Sequence, residues 1–455
     1  MALRRVLVAN RGEIAVRVIR ACRSLGIETV AAVSDADRAT LAAELADRAV
    51  CIGPAAASQS YLRKDVLIAT ALGTGCDAVH PGYGFLSENA EFAALCAEHG
   101  LVFVGPSAEC IRQMGNKLVA REIAEAVGVP LAPGSPRIAE FATAEGIANE
   151  IGMPVLFKAA AGGGGRGIRI VHRAQDLRNA FDTASAEAQA AFGDSALFLE
   201  RYIANARHIE VQILADRHGT VVHLGERDCS LQRRYQKLLE EAPPTDLPDH
   251  IREEVRAASV RLAEHIGYES AGTVEFVVDS DRGEVFFLEM NTRVQVEHPV
   301  TEMITGIDIV AEQLRIAAGE ALSFGQQDVR FDGHAIECRI NAESPARGFA
   351  PSPGRITDWA PPEGDGIRVD SHAHAGYVVP PFYDSMVAKL IVHGRDRADA
   401  IARTDAALAR FRVAGIETTI PFHRHVLAQA AFADGPINTT WLDGAAQSFA
   451  ATETA

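Results

Sequence analysis

The stretch that most constrains this chain is residues 273–299, TVEFVVDSDRGEVFFLEMNTRVQVEHP. Two runs rich in β-branched and aromatic residues, 273–278 and 284–290, flank the turn formers DSDRG at 279–283, so the segment reads as a β-hairpin. Strand side chains alternate between faces, and an odd-length turn gives Glu275 and Glu289 the same parity, which predicts two carboxylates on one face. Like charges that close are unfavourable unless a cation lies between them, and a hard Mg²⁺ or Mn²⁺ takes carboxylate oxygen together with phosphate oxygen. The hairpin is therefore expected to be a metal shelf. Beyond it, Asn291, Arg293, Gln295 and Glu297 recur at period two, and an extended backbone would point these four one way and Val294 and Val296 the other. Amide, guanidinium, amide and carboxylate in a row suit a small planar oxyanion, with arginine as the fork and glutamate as a base. The competing reading is the polar edge of a half-buried strand.

Charge sharpens this expectation. The net charge of −16 excludes a general binder of nucleic acid, which needs a basic surface for the phosphate backbone, so an anionic substrate must meet local cations. Of the 44 basic side chains only five are lysines, Lys64, Lys117, Lys158, Lys237 and Lys389. Where arginine fills the other 39 positions, a lysine marks a place that calls for a compact ammonium rather than a planar fork. Lys117, Lys158 and Lys237 each fall within a motif. The seven cysteines are odd in number and scattered without a CxxC pair, which reads as reduced and mostly buried thiols; Cys229 is one of them. No apolar run is long enough to cross a bilayer, and the first residues read as strand then helix, so a cytoplasmic enzyme with no membrane partner is expected.

At 455 residues the chain has material for two to four packed units. Residues 1–114 alternate strands and helices, an α/β pattern expected to form an open parallel, Rossmann-like sheet. Its first strand is followed by Asn10-Arg-Gly-Glu13 rather than Gly-x-Gly-x-x-Gly, which speaks against dinucleotide binding. The turn HPGYGFLSE at 80–88 follows an apolar strand, the place where open α/β sheets bind ligands, or is a structural turn. Arg17, Arg20 and Ser24 line one helix face, expected to be solvated or a contact between subunits. Residues 115–320 form a second unit, with a subdomain at about 130–203. There GGGGRG, residues 162–167, sits between two strands, so it is neither a dinucleotide site nor a P-loop but a lid whose N–H groups close over phosphate. The strand at 207–214 puts His208, Glu210 and Gln212 on one polar face. Residues 240–248 (EEAPPTDLP) read as a loop, and a third, α+β unit spans 333–445, with a frayed tail from about 446. His372 and His374, lacking a third ligand, read as surface histidines.

Taken together, NRGEIA (10–15), HPGYGFLSEN (80–89), the GGGGRG lid, RHIEVQ (207–212), ERDCSLQRR (226–234), EMNTRVQVEHPVTEMITG (289–306), ECRINAE (337–343) and PPFYDSM (380–386) closely resemble biotin carboxylase, an ATP-grasp ligase. The resemblance implies that ATP phosphorylates bicarbonate to carboxyphosphate, which then carboxylates the ureido N1′ of biotin on a biotin carboxyl carrier protein. It implies that Lys117, Lys158, His208 and the lid residues Gly164 and Gly165 hold ATP phosphates, that Glu200, Ile203 and Gln232 frame adenine and ribose, and that Glu275 and Glu289, with Asn291, hold the metal. By the same resemblance Lys237, Arg293, Gln295 and the backbone of Val296 cradle bicarbonate, Glu297 takes its proton, and Tyr83 and Arg339 contact biotin, with Arg339 stabilising its enolate. A homodimer and a carboxyltransferase partner are implied as well. The chain departs from the family pattern at Ala160 and Ala161, before the lid, and at Tyr235, where many members have histidine. It has no Met-Lys-Met biotin-attachment site, so biotin is expected on another polypeptide or domain. Another ATP-grasp carboxylate–amine ligase and a catalytically inactive nucleotide-binding scaffold are the alternatives.

Overall fold

The computed structural model describes residues 2–160 and 168–453. The amino-terminal unit is a parallel sheet ordered β3-β2-β1-β4-β5, built from Arg5–Val8 (β1), Glu28–Ser34 (β2), Arg48–Gly53 (β3), Ala78–His80 (β4) and Val102–Phe103 (β5). Val6, Leu7 and Val8 of the central strand are fully buried, as a strand covered on both faces must be. The turns that leave β1 and β4 latch together at the carboxyl ends of the strands. Asn10 Nδ2 donates to the carbonyls of Pro81 (2.6 Å) and Tyr83 (2.7 Å). Gly82 lies there at φ +62°, where a Cβ would come within 2.9 Å of that same amide, so the turn requires glycine.

Among the described residues a small antiparallel sheet, β7-β6-β8, follows, from Val155–Ala159 (β6), Arg169–Val171 (β7) and Leu197–Arg201 (β8). The expected lid, with Gly164, Gly165 and Arg166, and also Ala161, lies outside the described residues. The strands on either side of it do pair antiparallel, Phe157 opposite Arg169.

The largest sheet takes Ala206–Ala215 (β9), Val221–Arg233 (β10), Gln236–Ala242 (β11), Ser270–Asp279 (β12), Glu284–Asn291 (β13) and His334–Asn341 (β14). It runs β13-β12-β9-β10-β11-β14 and continues through the strands Met386–Gly394 and Ile367–Ser371. One sheet thus crosses from the central sequence region into the carboxy-terminal one, with β11 pairing β14 antiparallel. Its apolar face buries Ile209, Val211, Val274 and Phe276 against the helix Asp249–His265, which leaves the polar alternates to the opposite face.

Several local expectations need correction. The 279–283 turn is even rather than odd: Asp279 pairs with Glu284, leaving a four-residue connection, 280–283. That register alone would set Glu275 against Leu288 and turn Glu289 to the other face. A bulge at Leu288 shifts the ladder by one, and Glu275 comes to pair directly with Glu289. The row 291–297 is not a strand, because β13 ends at Asn291 and Glu297 caps the helix His298–Thr305. Glu240 and Glu241 belong to β11 and are buried; the prolines begin the loop only after Ala242. Arg17 is not on a solvated face but buried between Glu302 (2.8 Å) and Asp308 (2.5 Å). His372 is buried too. The tail is helical from Trp441 to Glu453, with Phe449 edge-on to Phe422 at 5.5 Å between ring centroids.

Candidate active site

The polar face of the large sheet collects the candidate residues around three buried carboxylates, Glu210, Glu275 and Glu297. Glu275 of β12 accepts from Asn291 Nδ2 at 2.8 Å and Gln295 Nε2 at 2.9 Å. His208 Nε2 lies 3.2 Å from it. Lys237 Nζ sits between all three acids, donating to Glu210, to Glu275 at 3.2 Å and to Glu297 at 2.7 Å. Burial by itself would strip an ammonium of its proton, but these carboxylates raise the Lys237 pKa well above its ordinary value. Burial likewise works against ionised Glu297 and is outweighed by Lys237, so its carboxyl titrates below the usual range and is held ionised. His208 is pushed up to about 9, burial being overcome by Glu275, which adds a second cation to this face.

Glu289 is the exception among the acids. Half-exposed and directly across the ladder from Glu275, it has Lys117 Nζ at 3.8 Å. Desolvation and then the charge of Glu275 raise its pKa. Two opposed carboxylates, one of them half-exposed with its nearest cation 3.8 Å away, fit a divalent ion shared with phosphate oxygens. His208, Glu210 and Glu275 also bring ligand atoms within 4.8 Å of one another, but the Lys237 ammonium already serves Glu210 and Glu275. The amide oxygen of Asn291, expected at the metal, accepts from Arg293 Nη2 at 2.8 Å.

Arg293 has its fork held on three sides: Glu88 at 2.9 Å from Nε, Asn291, and Gln295 Oε1 at 2.9 Å from Nη1. The amide–guanidinium–amide row therefore converges by side-chain bonding, although the backbone carrying it is irregular. On the side of β14, Arg339 Nη2 reaches Glu297 Oε2 at 2.9 Å and its Nε reaches Glu240 at 2.6 Å. Glu297 is thus gripped by Lys237 through one oxygen and by Arg339 through the other. Lys389 donates to the Val296 carbonyl at 2.7 Å and lies 3.1 Å from Glu13, which accepts from the Tyr83 hydroxyl.

In the small sheet, Lys158 of β6 binds Glu200 of β8, and so does Arg121, at 2.7 Å. Their charges outweigh burial and hold its pKa down. Half-buried Ile203 lies just beyond β8, and Gln232 of β10 is pinned through Nε2 to the Cys229 carbonyl at 2.8 Å. Cys229 is buried and its thiol pushed well up, as a structural thiol would be. Tyr235 sits with Arg234 at positive φ in the tip between β10 and β11, its side chain exposed.

Glu88, Arg227, Glu240 and Lys389 were not singled out by sequence reasoning. Arg227, fully buried, donates to Glu210 at 3.1 Å and Gln212 at 2.8 Å and so fixes one of the three acids that hold Lys237. Its place in the alternation of β10 was the available signal. For Lys389 the signal was its rarity.

A parallel amino-terminal sheet, a small antiparallel sheet, and a large sheet carrying a carboxylate shelf are the parts of a nucleotide-dependent ligase of the ATP-grasp class. Family models agree along the chain: biotin carboxylase N-terminal domain at residues 2–111, carbamoyl-phosphate synthase L chain ATP-binding domain at 116–324, and biotin carboxylase C-terminal domain at 337–444. Biotin carboxylase 1 of Bacillus subtilis is 54% identical over 442 residues, covering 97% of this chain and 98% of that one. The chain belongs to the biotin carboxylase family. Among solved structures, the biotin carboxylase domain dimer of Hydrogenobacter thermophilus 2-oxoglutarate carboxylase, in complex with MgADP, ADP and bicarbonate, superimposes with a TM-score of 0.92 at 49% identity, covering 98% of each chain. The Campylobacter jejuni biotin carboxylase–β,γ-ATP complex gives 0.93 at 45% identity, covering 97% of this chain and 99% of that one.

Proposed function

We propose that the chain carboxylates biotin with bicarbonate at the expense of ATP, and that Glu297 links the two halves of the reaction. The observation that carries this reading is the double grip on its carboxylate, by Lys237 at 2.7 Å and by Arg339 at 2.9 Å. Bicarbonate bound at Lys237, Arg293, Gln295 and the Val296 backbone would give its proton to Glu297 as its oxygen attacks the γ-phosphorus of ATP, releasing ADP and forming carboxyphosphate. Membership of the family and the MgADP and bicarbonate of the 2-oxoglutarate carboxylase domain support this assignment. Mg²⁺, or Mn²⁺, held by Glu275 and Glu289 with Asn291 at their side, would neutralise charge on the transferring phosphoryl group. Lys117, Lys158 and His208 are assigned to the phosphates, Glu200, Ile203 and Gln232 to the nucleoside, and Gly164 and Gly165 to the lid. Tyr83 and Arg339 are assigned to biotin, where the guanidinium would meet negative charge on the ureido oxygen as N1′ loses its proton.

We read the biotin as arriving on a carrier protein, with a carboxyltransferase consuming the product in the cytoplasm and a homodimer as the working unit; the dimer of the Hydrogenobacter domain supports the last. The sequence units 1–114, 115–320 and 333–445 serve as nucleotide- and substrate-binding parts of one machine. ADP release that requires bicarbonate and rises with free biotin is the expected result. ATP hydrolysis indifferent to bicarbonate would instead favour another carboxylate substrate.

A further inference from the structure

Behind Arg339 the large sheet holds an acidic pair that the reaction above does not use. Glu240 of β11 and Glu337 of β14 are cross-strand partners in the ladder, so their side chains leave the same face directly opposite one another. Both are fully buried. Glu240 Oε1 accepts from Arg339 Nε at 2.6 Å, but its Oε2 and both carboxyl oxygens of Glu337 have no hydrogen-bond partner among the described residues. The nearby cations are committed elsewhere. Lys389, on the neighbouring strand Met386–Gly394, serves the Val296 carbonyl and Glu13, while Lys237 serves Glu210, Glu275 and Glu297. The remaining charge beside the pair is an acid, Glu297 from the helix cap, which raises the pKa of both. Three partnerless carboxylate oxygens in one buried pocket are not a state that two ionised acids can hold.

We propose that Glu240 and Glu337 share one proton and act as a positioning pair for Arg339, Glu337 donating O–H to the free oxygen of Glu240. The proton removes one negative charge from beside the guanidinium. Were Glu240, Glu297 and Glu337 all ionised, Arg339 would be neutralised more than once and would have little left for a substrate oxygen. With one proton held behind it, Arg339 keeps its Nε and Nη2 edge fixed on Glu240 and Glu297, and its Nη1, which has no hydrogen-bond partner among the described residues, stays available. Burial supports the arrangement: it pushes Glu337 well above the usual carboxyl range and Glu240 to about 7, in each case against the pull of a neighbouring cation. This assignment rests on the biotin-side reading of Arg339, but the protonation itself does not.

Infrared difference spectroscopy of the whole protein at neutral pH tests the proton directly. A protonated-carboxyl band that shifts in D₂O and disappears in Glu337→Gln is expected; its absence from the unmutated protein overturns the proposal whatever the variants do. Steady-state kinetics test the positioning role. Glu240→Gln is expected to raise the KM for free biotin roughly tenfold while bicarbonate-dependent ADP release without biotin stays within about threefold. Glu337→Gln, whose amide can donate where the acid did, should leave that KM within about threefold at neutral pH and flatten its pH dependence. Unchanged biotin KM in Glu240→Gln, or equal loss of both activities, overturns the positioning role. A lost KM effect with the infrared band intact would show that the Arg339 reading, not the shared proton, had failed.

Discussion

Arg339 illustrates how much one side chain can carry and how far its role can be read. The guanidinium lies 2.9 Å from Glu297 yet makes no bond to the acids of the metal shelf, where Lys237 stands instead. The two half-reactions should therefore separate on mutation. In Arg339→Ser, bicarbonate-dependent ATP hydrolysis without biotin should remain within about tenfold of the unmutated protein, while carboxybiotin formation falls by roughly a hundredfold or more, the scale of a lost transition-state charge contact. Equal losses, measured on one preparation as ADP release and carboxybiotin, would place Arg339 in nucleotide or bicarbonate binding. At this scale the sequence was legible wherever composition made a residue rare or period two made it conspicuous, as for Lys237 and Arg293. Glu240 escaped because the Pro243-Pro244 pair three residues on suggested a loop, and a residue's neighbours in the chain say nothing of a cross-strand partner such as Glu337.

At the scale of elements the hairpin shows a correct inference reached through a wrong register. Parity from an assumed odd turn placed Glu275 and Glu289 together; the real turn would have parted them, and the bulge at Leu288 restored the pair. Nothing local in VFFLEMN announces a bulge, since it holds no glycine at the bulged position and the extra residue is decided by the facing strand. Like charges directly opposite on a ladder destabilise it, so the pairing is held at a cost to the apo fold. Glu289→Gln should accordingly leave metal-free thermal stability equal or slightly higher while cutting ATP cleavage at saturating Mg²⁺ by about a hundredfold or more. Near-normal turnover would exclude Glu289 from the metal shelf. Melting together with loss of turnover would make it structural.

For the whole molecule, the sequence suggested three units in order but gave no sign that one sheet takes strands from both the second and the third, because pairing between β11 and β14 spans nearly a hundred residues of intervening chain. What fastens that junction is Glu241. Its carboxylate takes Arg397 Nε at 2.7 Å and His334 Nε2 at 2.9 Å, tying β11 to β14 and to the helix Arg397–Arg410. Burial alone would raise its pKa, but the hydrogen bonds from His334 and Arg397 outweigh burial and hold it at about 2. An acid depressed in the folded state contributes stability that is fully present above its unfolded value, about 4.3, and is lost as pH falls through the folded one. The shift corresponds to something on the order of 2–3 kcal/mol at neutral pH, about half of it gone by pH 3. Glu241→Gln removes the titrating group and keeps the shape. Its urea midpoint should lie well below that of the unmutated protein at pH 7, and the gap should close progressively between pH 4.5 and pH 3. A chain of this size unfolds in steps, so the step to follow is the one that exposes the shared sheet, reported by hydrogen exchange in β11 and β14. A gap that stays constant over that range would mean that Glu241 contributes by packing alone and that the junction is held by the ladder rather than by charge.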